Sequence, residues 1–167
     1  MTAADPAPPL VVRAARRDEA GQLAAWAIAM ALETEHKALD PVIVAAGVCA
    51  VFDAPARGSY VMAEDAEGRA VGTLMLTHEW SDWRCGDWWW IQSVYVVPAW
   101  RRRGVYRALH EHVRDLARST PQVCGLRLYV ERANAAAQRT YASLGMVDAG
   151  YAMFEEEFGA AHAMPAN

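Results

Sequence analysis

One stretch constrains this chain more than any other: residues 88–118, WWWIQSVYVVPAWRRRGVYRALHEHVRDLAR. Its hydrophobic period changes within a few positions. The first ten residues are aromatic and β-branched and read as a long strand, which Pro98 ends. From Gly104 to Arg118 the spacing becomes helical, with Val105, Ala108, Leu109, His112, Val113 and Leu116 on one face. The next apolar run, Gly125 to Glu131 (GLRLYVE), reads as another strand. A chain that alternates strand, helix and strand belongs to the α/β class.

The flanking segments complete the order. LVVRAA (10–15) reads as a short first strand. From Asp18, Leu23, Trp26, Ala27, Met30 and Ala31 make one apolar helical stripe. A second helix starts at Asp40-Pro41, where Asp40 can cap and Pro41 suits the first helical position. GSYVMAED and RAVGTLMLTHEW read as a hairpin closed by AEGR, and SDWRCGD as the loop into the long strand. NAAAQRTYASLG (134–145) reads as a short helix capped by Asn134 and stopped by Gly145, and MVDAGYAMFEEEF as a final strand. The expectation is a single α/β domain around a mixed sheet, in the order β-α-α-β-β-β-α-β-α-β. It spans residues 10–158, between an N-terminal tail at 1–9 and a C-terminal tail at 159–167.

Of the 167 residues, 54% are hydrophobic and 22% charged, which is too apolar for disorder and ordinary for a soluble protein. No apolar run reaches the ~20 residues that cross a bilayer, and MTAADPAPPL lacks the features of a secretory signal. Three widely spaced cysteines (Cys49, Cys85, Cys124) without metal-ligand spacing read as reduced thiols, so the expected location is cytoplasmic and no metal is expected. A formal charge of -4 argues against a nucleic-acid binder. That acidity sharpens the puzzle of Arg101-Arg102-Arg103-Gly104. Arginine outnumbers lysine 15 to 1, so arginine content alone carries little information. The position carries more. A helix start has unpaired N–H groups and a partial positive charge, Gly104 lets a ligand approach the backbone, and arginines pair bidentately with phosphate oxygens. The junction suits a pyrophosphate; it suits equally a solvated turn whose arginines meet nearby carboxylates. Neither G-x-x-x-x-G-K-[ST] nor G-x-G-x-x-G is present, which sets aside two common nucleotide sites.

Arg101-Arg102-Arg103-Gly104-Val105-Tyr106, after a strand ending Val-Tyr-Val, resembles the [Gln/Arg]-x-x-Gly-x-[Gly/Ala] signature of the GNAT superfamily of acetyl-CoA-dependent N-acyltransferases. Thirty residues after Gly104, Asn134-Ala-Ala-Ala-Gln-Arg-Thr-Tyr141 and Gly145-Met146 resemble that family's Asn-x-x-Ala-x-x-x-Tyr…Gly-Phe segment. Tyr106 departs from the family's usual Gly or Ala. The resemblance implies acetyl-CoA as acyl donor, lying between the strand ending at Val96 and the strand LRLYVE. It implies that Val94, Tyr95 and Val96 meet the pantetheine arm, and that the pyrophosphate rests on N–H groups from Arg102, Arg103, Gly104, Val105, Tyr106 and Arg107.

Acyl transfer to an amine needs a deprotonated nucleophile, a donor to the developing oxyanion and a proton for the departing thiolate. The family places the oxyanion donor at the position of Val94 and the proton donor at that of Tyr141. From the helical pattern alone, Tyr141 equally reads as a core residue on the Ala137–Tyr141–Leu144 stripe. Asn134 is a helix cap, a pantetheine contact or both. Relatives often carry Glu or His at the positions of Trp90 and Gln92, and neither residue here titrates, so no base is assigned. Gln92 can hold a water leading to a carboxylate, with Glu33 and Glu35 as candidates beside His36, against the plainer reading of a solvated helix face. Alternation puts Trp88, Trp90 and Gln92 on one face and Trp89 on the other; some of these rings belong to the core, while others offer π faces to an ammonium group. The leading expectation is an N-acetyltransferase acting on a small-molecule or peptide amine in a ternary complex; a catalytically weak acetyl-CoA-binding sensor or scaffold is the alternative. The expected partners are acetyl-CoA and the amine, without nucleic acid or membrane, and with a homodimer left open.

Overall fold

The structure, a computed structural model, describes residues 9–156 and 158. Apart from Pro9, the expected tails lie outside the described residues. The chain divides after Tyr129 into two compact units.

The first unit holds β1 (Val11–Ala14), α1 (Ala20–Glu35), α2 (Pro41–Asp53), β2 (Ser59–Glu64), β3 (Ala70–Ser81), β4 (Gly86–Val96), α3 (Val105–Ser119) and β5 (Val123–Arg127). The five strands form one sheet in sequential order. β1 to β4 pair antiparallel, and β5 joins β4 in parallel, so the sheet is mixed. Parallel neighbours need a crossover, and α3 supplies it. Local chemistry sets several boundaries. A short 3-10 turn over Arg17–Glu19 precedes α1, which delays its start by two residues from the expected Asp18. Asp40 caps α2, accepting from the N–H groups of Val42 and Ile43, with Pro41 behind it. Buried Asp65 closes the β2–β3 hairpin by accepting from the N–H groups of Glu67 and Arg69 and from Arg69 Nε. The β3–β4 connection is tighter than the expected loop, since the strands pair up to Ser81 opposite Gly86.

Two cores lie on the two faces of the sheet. On one, Leu23, Ala24 and Trp26 of α1 and Val48 and Val51 of α2 pack on Tyr60, Met62 and Tyr95. On the other, Val105, Leu109 and Val113 of α3 pack on Val61, Ala63, Leu74, Leu76 and Ile91. Alternate residues of β2 thus serve opposite cores, as a period of two requires. Leu109 is fully buried, and truncating such a residue to alanine costs about 2–5 kcal/mol. The buried stripe of α3 is Val105, Leu109, His110, Val113 and Ala117. His110 lies inside where the spacing suggested His112, and Leu116 is exposed.

The second unit contains α4 (Ala135–Ser143). Asn134 Oδ1 accepts from the Ala137 N–H at 3.0 Å. At the other end Gly145 has φ +87°, the Met146 N–H reaches the Tyr141 carbonyl and the Gly145 N–H that of Ala142. That left-handed stop is why the helix ends where the sequence placed a glycine. The expected final strand is not formed: residues 146–156 have no regular structure. Gly150 adopts φ +74° and donates its N–H to the Asp148 carboxylate, which bends the run where it should extend. Val147, Tyr151 and Phe154 point into solvent rather than alternating between faces.

Candidate active site

The parallel ladder between β4 and β5 is short. It runs from Asp87 opposite Val123 to Trp90 opposite Arg127, and stops. β5 ends there, earlier than the expected Glu131, while β4 continues six residues to Val96. Within that extension, Gln92 pairs with Met75 and Tyr95 with Thr73, so Ser93 and Val94 together oppose Leu74. This is a β-bulge, and Ser93 takes a left-handed φ of +48° to make it. The bulge also resets the strand's faces: Ile91 and Val94, three apart, both pack in the α3 core. Past Trp90, therefore, β4 is bent and its backbone has no ladder partner on the β5 side among the described residues. A pantetheine arm, with its amide groups, is the kind of ligand such an edge can pair.

The chain then turns through Pro98–Trp100 into α3. Gly104 is the N-cap at φ +83°, with no side-chain cap, and a Cβ placed there would meet no atom within 4 Å. The first N–H groups of a helix have no partner inside it. Arg102 and Arg103 precede them in the chain, and such a donor set suits a pyrophosphate. The three arginines have different tasks. Arg101 donates to Glu33 at 2.5 Å and to the Val96 carbonyl at 3.0 Å, and lies over the Tyr95 ring. Arg103 lies over Trp100. Arg102, exposed and at φ +62°, forms no ion pair among the described residues. Arg107 reaches Glu111 at 3.7 Å. Tyr106 turns its ring along the helix against His110, with centroids 6.0 Å apart. His110 is buried, with no hydrogen-bond partner at either ring nitrogen among the described residues; burial, reinforced by Arg114, holds its pKa below the usual histidine value.

On the α1–α2 side of the sheet, the residues around the fork form a connected patch. Thr77, Glu79, Trp88, Trp90 and Gln92 share this face, in the register Thr77 opposite Trp90 and Glu79 opposite Trp88. Gln92 Nε2 donates to the Thr77 hydroxyl. The Glu79 carboxylate receives the Trp90 indole N–H and, at 2.8 Å, Arg127 NH1. The indole N–H first, and Arg127 with it, hold Glu79 below the usual carboxylate range. The Arg127 guanidinium lies 4.1 Å from the Trp88 ring centroid, and Arg84 lies 5.1 Å from it. Gly125 makes this possible, since any Cβ there would sit 2.4 Å from the indole. Trp89, on the opposite face, packs with the α3 core and against His78.

The structure thus brings together some of the residues singled out in the sequence. Val94, Tyr95 and Val96 lie on the part of β4 that has no β5 partner among the described residues, and the turn and helix start bearing Arg102 to Arg107 follow in the chain. Trp90 and Gln92 share one patch. Glu33 sits with Arg101 rather than standing alone, and Glu35, the last residue of α1, is exposed. Asn134 and Tyr141 belong to the second unit, where Tyr141 is half-buried and burial pushes its hydroxyl pKa up. Sequence reasoning missed Glu79 and Arg127. Alternation could have put Glu79 on the face of Trp88 and Trp90, but only the β4–β5 register delivers Arg127 to the same spot.

The sequence model of the acetyltransferase (GNAT) family matches residues 23–146. A "possible acetyltransferase" from Clostridium difficile 630 is 37% identical, with a TM-score of 0.82 over 89% of this chain and 97% of that one. The glucosamine-6-phosphate N-acetyltransferase of Arabidopsis thaliana (14% identical, TM-score 0.66, over 89% of this chain and 98% of that one) shares the fold. So does the ribosomal-protein-alanine N-acetyltransferase of Brucella melitensis biovar Abortus 2308 (15%, 0.71, over 90% and 100%). No curated protein matches. The chain belongs to the GNAT acetyltransferase family, and acetyl transfer is the chemistry its fold serves.

Proposed function

We propose that the chain moves an acetyl group from acetyl-CoA to a primary amine of a small molecule or peptide, by direct attack in a ternary complex. The observation that carries this reading is the bulged end of β4, without a β5 partner among the described residues, followed through a short turn by the start of α3, which has no side-chain cap. The first suits an amide-bearing arm and the second a pyrophosphate. In this reading the backbone of Val94, Tyr95 and Val96 pairs with pantetheine. The N–H groups from Arg102 to Arg107, with the side chains of Arg102 and Arg103, hold the pyrophosphate. Asn134 offers its amide NH2 to pantetheine, since its cap bond uses Oδ1.

The amine nitrogen attacks the thioester carbonyl, and the Val94 N–H donates to the oxygen as charge develops there. The C–N bond forms and the C–S bond breaks. The thiolate takes its proton from the Tyr141 hydroxyl, whose elevated pKa keeps that proton in place until the thiolate forms. The surplus proton on the amine leaves through water held at Gln92 toward a carboxylate of the acceptor side, where Glu33, Glu35 and Trp90 border the amine. Cytoplasmic location is part of the same reading, supported by three free cysteines.

The test is a thiol-release assay with acetyl-CoA over a panel of amines, aminoglycosides, polyamines and short peptides, alongside calorimetry with acetyl-CoA. Acceptor-dependent thiol release, with kcat/KM rising toward alkaline pH, is the expected result. Absence of heat with both acetyl-CoA and CoA would overturn the reading.

A further inference from the structure

We propose that Arg127, laid on the Trp88 indole and braced by Glu79, is the seat for an oxyanion carried by the amine acceptor, a carboxylate or a phosphate, and thereby sets acceptor specificity; this rests on the amine-acetylation reading above. The sequence alone suggests the opposite sign, with tryptophan faces drawing an ammonium ion. The folded chain has already filled that role from within. The Trp88 ring holds Arg127 at 4.1 Å and Arg84 at 5.1 Å, and Trp90 has Arg127 at 6.0 Å. An incoming ammonium would have to displace a guanidinium from its indole and then sit beside two like charges.

The pairing points the same way. Two guanidiniums, Arg84 and Arg127, lie on Trp88, and one carboxylate, Glu79, pairs with Arg127. Glu79 is itself committed: Trp90 Nε1 donates to one of its oxygens and Arg127 NH1 to the other. Arg127 is not. Guanidinium carries five N–H donors in a planar fork, and among the described residues only NH1 has a hydrogen-bond partner, Glu79. The side chain keeps 29% of its surface exposed. The indole contact and the pairing with one carboxylate hold the guanidinium in place, and its remaining N–H groups can donate to a second oxyanion bidentately.

Location makes these groups relevant to the reaction. Arg127 is the last rung of the β4–β5 ladder, opposite Trp90, on the same face as Gln92. The guanidinium lies 4.1 Å from the Trp88 ring centroid and 6.0 Å from that of Trp90; from these two residues to the Val94 N–H the bulged strand covers roughly 10–16 Å, at ~3.3 Å per residue less the bulge. An acceptor with its amine at the thioester and its oxyanion on Arg127 therefore has the length of roughly three to five residues of extended peptide.

The experiment compares initial rates for triglycine and its C-terminal amide, and for an aminoalkyl phosphate and the matching amino alcohol, at equal concentrations of neutral amine and saturating acetyl-CoA. We expect kcat/KM to favour the anionic member of at least one pair by ~10-fold or more, the range for a hydrogen bond to a charged group. The carboxylate and phosphate arms tell which oxyanion is read. Arg127→Gln should bring that preference to about one, lowering the rate on the anionic acceptor by more than the rate on the neutral one. Glu79→Gln keeps an oxygen that can brace Arg127 NH1 but removes the competing charge, so it should widen the preference, and it carries the test if Arg127→Gln does not fold. Equal use of both members by the wild type, equal loss on both in Arg127→Gln, or a narrowed preference in Glu79→Gln overturns the proposal and leaves the acetylation reading standing. Tryptophan fluorescence titrated with the same pairs, without acetyl-CoA, separates the two ideas. A response selective for the anion in a protein that neither binds acetyl-CoA nor turns over sinks the acetylation reading but keeps the oxyanion seat.

Discussion

Replacing Gly104 by glutamate separates what the helix start does for folding from what it does for binding. In the free protein two effects oppose each other. A residue with a Cβ at φ +83° costs about 1 kcal/mol in the left-handed region, but no atom lies within 4 Å of that Cβ, so no clash is added. A carboxylate at a helix N-terminus recovers about 0.3–1 kcal/mol from the unpaired N–H groups. The net change is below about 1 kcal/mol, and the thermal midpoint should move by only a few degrees. Binding faces a different balance. A pyrophosphate on the same N–H groups would lie ~5 Å from the new carboxylate. At an effective dielectric between that of a protein surface and water, each phosphate charge is then repelled by about 1–3 kcal/mol. Two such charges weaken binding by at least ~30-fold. Gly104→Ala is the control, carrying the same backbone strain without the charge, and should bind acetyl-CoA within about fivefold of wild type. Calorimetry with acetyl-CoA, with circular dichroism to verify the fold, makes the comparison. If folded Gly104→Glu binds acetyl-CoA as tightly as wild type, the pyrophosphate does not rest at the start of α3.

Three further outcomes follow from the same chain. Tyr141→Phe removes one hydroxyl; acetyl-CoA affinity should hold while kcat falls ~10²-fold or more, and an unchanged kcat with chemistry limiting returns Tyr141 to a packing role. Glu33→Gln loses the charge that holds Arg101 at the β4–α3 turn, so it should raise KM for acetyl-CoA as well as for the amine, whereas Glu35→Gln should raise only the amine KM; steady-state kinetics with both substrates varied decides. Below about pH 4.5 the fold should weaken through Glu19, whose pKa falls from 4.5 to about 2 because Arg13 donates to it, with help from the Arg16 N–H. Its folded pKa is depressed, so its contribution is full above pH ~4.5 and is lost as pH falls toward 2. The ceiling is about 3 kcal/mol, and urea unfolding at several pH values should show the loss flattened in Glu19→Gln.

Much of this protein is set by local pattern. A change of period at Pro98 is enough to place β4 and α3, because a strand needs apolar side chains on alternate positions and a helix needs them three and four apart. Asp40 and Asn134 cap their helices and Gly145 ends one, since capping is a matter of a few neighbouring atoms. The family signature at Arg101–Tyr106 is likewise written in consecutive residues. What the sequence leaves open is whatever depends on which strand stands beside which, and in what register. The length of the β4–β5 ladder decides where the fork opens. The extra residue at Ser93–Val94 decides which side chains face which core. The final strand does not form among the described residues: Gly150 bends the run, and no ladder includes it. Pairing partners are chosen last of all. Glu33 meets Arg101 across 68 residues, and Arg127 meets Glu79 across 48, on a platform that Gly125 clears for Trp88. A guanidinium settles wherever a fold offers it both a carboxylate and an aromatic face, and only the packed sheet creates that place.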